Sequence, residues 1–290
     1  MPTARLGALL LAGASGLWSG DFSGARALEY ARQLTAIGPR PSGTAANRKA
    51  QAFIKSQLRG LGCQVADDPF TGRPPSGPVP MNNIIARFPG ASGTAVVFTG
   101  HFDTKLFKNF RFTGANDGGS SAGLLIELAH ALAGKPHKHD VYLVWFDGEE
   151  AVGEWSDVDG IHGSRHLAQK WKAEGKLSKI LALVNVDMIG DKDLGIVVET
   201  NSNPGLRRLV WNVAGDLGYG RYFLDQGGAI EDDHMPFVRN DVPALDLIDF
   251  DYGPDNSYWH TAQDTADKLS AQSLKVVGDV LLETLRRLEK

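Results

Sequence analysis

Apolar residues recur at helical spacing over residues 22–34 and again over 45–61, so two helices are expected early in the chain. Gly38-Pro39-Arg40-Pro41-Ser42 interrupts the pattern between them. Residues 67–80 are rich in Pro and Gly and read as a loop. Short apolar runs follow at 83–88, 95–99, 141–146, 180–186, 195–199 and 244–248, each of strand length. Helical patterns lie between or after them, at 120–133, 164–172, 204–217 and 271–288. Apolar strands alternating with helices predict an α/β single domain, with a central, mostly parallel mixed β-sheet flanked by helices on both faces. Ligands in such sheets gather at the carboxyl ends of strands.

A chain of 290 residues is long enough for one large core, so residues 21–290 read as a single catalytic domain. The net charge of -4 offers no broad basic surface, which excludes nucleic acid as a partner class. Cys63 is the single cysteine, so neither an intrachain disulfide nor a multi-cysteine zinc site is available. It reads as a small apolar packing residue. Residues 1–20 carry Arg5 ahead of a short apolar run of small residues. They read as an export signal or an unstructured N-terminus, with a secreted or periplasmic destination. The run is too short to span a membrane, and no other segment comes near that length.

Four motifs place acids or histidines at or near strand ends. Gly100-His101-Phe102-Asp103-Thr104-Lys105 follows the strand at 95–99. Gly114-Ala115-Asn116-Asp117-Gly118-Gly119 opens the helix at 120–133. Phe146-Asp147-Gly148-Glu149-Glu150-Ala151 follows the strand at 141–146. Tyr258-Trp259-His260-Thr261 follows a polar loop. Asp187, after the strand at 180–186, and Glu231-Asp232-Asp233-His234, before the strand at 244–248, extend the set. Each has an ordinary alternative: Asp117 as a helix cap, His101 or His260 as a loop histidine, the glutamates as a solvated turn. Adjacent glutamates in a loop can diverge, leaving one to bind a metal and the other free as a base. If the sheet is parallel here, the acids converge, and such a group needs cations or protons at neutral pH. Asp, Glu and His together suit zinc.

The order His-x-Asp, Asp-Gly, Glu-Glu, Asp, then a late His resembles the zinc aminopeptidase family of co-catalytic metallopeptidases. Its details resemble the glutaminyl cyclase (glutaminyl-peptide cyclotransferase) branch of bacterial type, from about Phe22 onward. His101-Phe102-Asp103-Thr104-Lys105 is similar to the cyclases' His-Tyr-Asp-Ser-Lys. Gly163-Ser164-Arg165-His166-Leu167-Ala168 matches a cyclase segment, and Ile230-Glu231-Asp232-Asp233-His234-Met235-Pro236-Phe237 is similar to their Ile-Gln-Asp-Asp-His-x-Pro-Phe. Trp155 and Trp259-His260-Thr261 also fit, as do the early Phe22–Ala27 and Gly38–Pro41 segments. The resemblance implies one zinc held by Asp117, Glu150 and His260, with Glu149 moving protons. It implies Asp187 and Asp232 as an acidic relay beside the substrate amine, and Trp155, Trp259 and Glu231 around the glutamine side chain. His101 and Asp103 would serve a second metal or stand behind the first. The implied substrates are peptides or proteins with N-terminal glutamine, and the implied enzyme is a monomer. Glu231 departs from the animal cyclases' Gln, and Gly100 from the disulfide Cys they carry before the His.

Two other readings use the same residues. A two-zinc aminopeptidase would bind metal through His101, Asp117, Asp187, Glu150 and His260, with Glu149 activating water. Gly118 speaks against it, because aminopeptidases commonly carry an acid or Asn directly after the bridging Asp. A non-catalytic binding domain would have lost Glu149 or a ligand, and none is lost.

Overall fold

The computed structural model describes residues 22–290. The segment 1–20, read above as an export signal, lies outside them.

Helix α1 spans Gly24–Ile37 and begins where the Ser23 side chain accepts a hydrogen bond from the Arg26 amide. Ala27, Leu28, Ala31 and Leu34 recur every three or four residues and form its buried stripe. Helix α2, Ala45–Gln57, is capped by Thr44 in the same way. It stops four residues short of the expected Leu61, and Gly60 and Gly62 then turn with positive φ.

Residues 67–80, expected as a loop, are largely extended. Strand β1, Gln64–Gly72, pairs antiparallel with β2, Val79–Phe88. β1 is an edge strand with mostly exposed side chains, so its backbone pairing left little apolar signal. The remaining sheet strands are β3, Ala95–His101; β4, Asp140–Phe146; β5, Ile180–Asp187; and β8, Ala244–Ile248. The order is β1-β2-β4-β3-β5-β8. β1 to β2 and β2 to β4 are antiparallel, and β4, β3, β5 and β8 run parallel. The run at 195–199 forms β6, Ile196–Glu199, outside this sheet. It pairs with β7, Phe223–Gly228, a strand the sequence pattern did not reveal.

Helices cover both faces, as the alternation of apolar runs and helical segments predicted. On one face α3, Gly119–Leu132, lies under α1 and beside α7, Ala271–Leu288, with α5, Pro204–Asp216, against α7. Their core takes Val96 and Phe98 from β3 and Leu143 and Trp145 from β4. On the other face α4, His162–Ala173, and the short α6, Met235–Val238, pack on Val97, Val144 and Phe146. Successive strand residues point to opposite faces, which is why one strand feeds both cores. Cys63 is half-buried against the first core, consistent with a packing role. Among the described residues no helix is long and apolar enough to cross a membrane.

The parallel strands end together. His101 pairs in register with Phe146, and Asp187 with Ile248. The residues just beyond those ends therefore share one rim of the sheet.

Candidate metal centre and active site

Asp117 sits in the turn that opens α3, between Gly114 and Gly118, both with positive φ. A side chain at 118 would bring Cβ within 2.6 Å of the Asp103 carbonyl oxygen and 2.9 Å of the His101 ring. The Asp-Gly pair is thus a steric requirement. Asp264 braces the turn by accepting hydrogen bonds from the amides of Asn116 (2.8 Å) and Asp117 (3.2 Å) and from the Tyr252 hydroxyl (2.9 Å).

The tight turn after β4 sends its three acids to different places. The Asp147 carboxylate accepts from Ser42 Oγ, Asn47 Nδ2 and the Asn82 amide, away from the rim. Burial, then the charge of Asp103, pushes it up to about 7. Glu150 turns toward His260, with Oε1 3.4 Å from Nε2. Glu149 turns toward His101, with Oε2 3.9 Å from Nδ1, while its amide donates to Asp103 Oδ1.

Ligand-capable atoms of Asp117, Glu150 and His260 all lie within 4.8 Å of one another. Asp117 Oδ2 is 3.3 Å from His260 Nε2. Glu150 Oε1 is buried and accepts no hydrogen bond. An orphaned carboxylate oxygen beside a second carboxylate and an imidazole is a donor set that fits zinc. Burial, then Asp117, raises Glu150, whereas Asp117 itself is held low by its two histidines against burial. Burial would depress His260, but Asp117 and Glu150 outweigh it and raise the imidazole to about 10. The trio therefore holds protons that a divalent cation would displace.

His260 adopts φ of +52°, uncommon for a residue with a side chain. Its ring stacks on Trp259 at 4.3 Å and meets the rings of Phe107 and Phe112 edge-on at 5.6 and 5.7 Å.

A second group combines His101, Asp117 and Asp187 within the same 4.8 Å limit. His101 Nε2 reaches Asp187 Oδ1 at 3.1 Å and Asp117 Oδ1 at 3.3 Å. Asp103 stands outside both groups, 3.5 Å from His101 Nδ1 on the far side of the ring. Burial outweighs the attraction of His101 and pushes Asp187 up to about 7. Burial first, with the charges of Glu150, Asp232 and Asp233, pushes Glu149 well above the carboxylate range, against the pull of His101. Asp232 accepts hydrogen bonds from Asn185 Nδ2 at 3.1 Å and from the Asp233 amide.

These acids floor a cavity of about 450 Å³ walled by Trp155, Phe250 and Trp259. Glu231 and Lys105 also line it. The Glu231 carboxylate is engaged by Arg239 Nη2 at 2.7 Å. Trp155 stands on the 151–161 loop, which Asp159 ties down by accepting from the Val152 and Gly153 amides. Lys105 Nζ donates to the Ala151 and Gly153 carbonyls of the same loop.

Asp117, Glu149, Glu150, Trp155, Asp187, Glu231, Asp232, Trp259 and His260 line this cavity, with His101 and Asp103 beside it, whereas Asp147 points away and Cys63 packs in the core. Asp264, Asn185, Asp159, Phe107 and Phe112 were missed. Asn185 did leave a signal: it interrupts an apolar strand two residues before Asp187, on the same face.

A mostly parallel sheet whose carboxyl rim gathers two carboxylates and a histidine defines a metallopeptidase-like protein. Residues 83–285 match peptidase family M28, and the chain belongs to that family. Within it, the chain is 34% identical over 254 residues to the glutaminyl-peptide cyclotransferase of Drosophila melanogaster, spanning 79% of this chain and 71% of that relative. The crystal structure of an Acidobacteriales bacterium glutaminyl cyclase superposes with a TM-score of 0.89 at 40% identity, covering 99% of both chains. A Zn-dependent exopeptidase from Parabacteroides distasonis superposes with a TM-score of 0.82 at 27% identity, over 91% of this chain and 98% of that one.

Proposed function

We propose that this chain is a zinc-dependent glutaminyl-peptide cyclotransferase, converting the N-terminal glutamine of peptides to pyroglutamate with release of ammonia. The observation that carries the reading is Glu149: a buried carboxylate of raised basicity between the Asp117–Glu150–His260 group and Asp232, under an aromatic-walled cavity. The relatives named above support it.

In this reading Asp117, Glu150 and His260 hold one zinc per chain. Bound there, zinc supplies Lewis-acid polarisation of the glutamine γ-carbonyl. The α-amine and the side-chain amide are already tethered in one residue, so ring closure needs orientation more than recruitment. Asp232 and Asp187 hold the amine at the cavity floor. Glu149 takes a proton from the attacking nitrogen and delivers it to the departing one. The new bond joins the α-nitrogen to the side-chain amide carbon (Cδ), the bond from that carbon to the amide nitrogen breaks, and ammonia leaves. Trp155 and Trp259 enclose the methylenes and exclude water, which would otherwise compete as nucleophile. Residues 21–290 act as the single catalytic domain, and export through residues 1–20 would place it outside the cytoplasm.

A second reading is favoured by the His101–Asp117–Asp187 group, which could take a second metal. The chain would then be an aminopeptidase with Glu149 activating water. Release of ammonia from glutaminyl peptides, set against release of chromophore from amino-acid anilides, separates the two. Cyclisation without anilide hydrolysis supports the cyclase, and the reverse overturns it.

A further inference from the structure

The Gly38–Pro41 segment between α1 and α2 leaves one group with no part in the chemistry above. Arg40 is fully buried. Its guanidinium donates to three main-chain carbonyls: Nε to Phe102 at 2.5 Å, Nη1 to Thr113 at 2.6 Å and Nη2 to Gly114 at 2.8 Å. Its amide donates to Thr104 Oγ1 at 2.9 Å. Among the described residues, no carboxylate hydrogen-bonds to it.

These bonds join the two ends of a strap, residues 102–114. The strap leaves β3 just after His101 and returns three residues before Asp117. Its outer part carries Phe107 and Phe112, which pack on His260. Closing the strap therefore fixes both the approach of Asp117 and the setting of His260.

A buried cation without a touching counterion is costly unless nearby charge offsets it. Here the offsetting charge comes from Asp103, Asp264, Asp117 and Glu150, two of them in the proposed ligand set. Burial lowers Arg40 and these carboxylates oppose it, which leaves it at about 10, so the guanidinium stays charged at neutral pH. The interaction is mutual: Arg40 relieves repulsion among those carboxylates.

We infer that Arg40 is a positioning residue of the metal centre, which clamps the 102–114 strap and keeps the ligand carboxylates gathered before metal arrives. A divalent cation would neutralise two of these carboxylates, Asp117 and Glu150, so the charge of Arg40 matters most to the metal-free protein. The inference rests on the reading that Asp117, Glu150 and His260 hold zinc. The zinc content of dialysed wild-type protein tests that reading separately, so the two can fail independently.

The test is thermal melting of wild type, Arg40→Met and Arg40→Lys, each chelator-stripped and each with zinc restored. Arg40→Met lowers the melting temperature of the metal-free protein by roughly 5 °C or more beyond its effect on the zinc-loaded protein. Arg40→Lys keeps the charge but cannot make the three-pronged clamp. It retains the wild-type gap between the two forms, while trypsin cuts the strap at Lys105, Lys108 or Arg111 sooner. Equal lowering of both forms by Arg40→Met overturns the inference. So does an Arg40→Lys variant whose gap widens as far as that of Arg40→Met. If Arg40→Met folds in neither form, the Arg40→Lys gap alone decides: wild-type width supports the inference and a widened gap overturns it.

Discussion

Glu149 and Glu150 are adjacent in sequence yet serve different partners: Glu150 lies 3.4 Å from His260 Nε2, and Glu149 lies 3.9 Å from His101 Nδ1. A helix or a regular strand could not split them this way toward two parts of one rim. The tight turn through Gly148, with φ of +75°, does so. The division separates the proposed metal ligand from the proposed proton carrier.

Glu149→Gln keeps the shape and removes the base. Turnover should fall by about 10² to 10⁴-fold. Zinc content should stay at the wild-type level, because Glu149 is outside the ligand group. Steady-state kinetics with metal analysis on one preparation checks both.

Asp159→Ala leaves the Val152 and Gly153 amides without their acceptor, at a cost of about 1–3 kcal/mol in loop order. Trp155 then loses its fixed place on the cavity wall. We expect KM to rise about tenfold with a smaller change in kcat. An equal fall in kcat with unchanged KM would place Asp159 elsewhere in the mechanism.

Gly118→Ala forces Cβ to within 2.6 Å of the Asp103 carbonyl at a φ of +77°. Asp117 must shift, so zinc affinity should weaken, by about tenfold for each 1.4 kcal/mol of strain passed to the site. Competition with a chromophoric chelator measures it.

Asp249 supplies a pH test away from the metal group. It accepts from the Gly195 and Asp251 amides, and burial pushes its pKa from 3.8 up to about 7. The unfolded chain ionises first as pH rises. The stability tied to the protonated folded state is therefore complete below about pH 3.8 and is lost as pH climbs through about 7. Asp249→Asn does not titrate. Its melting temperature relative to wild type should increase steadily from pH 5 to pH 8, and a flat difference would show that Asp249 is already ionised in the folded protein.

Much of the fold was legible because its central strands are apolar runs that stop at chemistry. The run at 141–146 ends at Asp147, and that at 180–186 ends at Asp187. Parallel strands align such ends, so a convergence of acids on one rim was expected, whereas the particular trio of Asp117, Glu150 and His260 was implied by the family resemblance. What stayed hidden has physical causes. β1 pairs through its backbone while exposing most side chains, and β7 ends in Gly227 and Gly228, so neither left an apolar pattern. Spacing alone does not tell Asp103 from Asp117; the resemblance did, and the turn geometry gives the physical reason, with Asp117 facing His260 and Asp103 behind His101. Asp264 and Arg40 act through main-chain groups, and a side-chain pattern carries no record of those.

The most direct measurement is a zinc titration of chelator-stripped protein, following ammonia released from a peptide with N-terminal glutamine. Ammonia release should rise in proportion to zinc and level off at one equivalent per chain, with amino-acid anilides left intact. A plateau only at two equivalents accompanied by anilide cleavage, or no ammonia at any zinc level, is incompatible with a one-metal cyclase built on Asp117, Glu150 and His260.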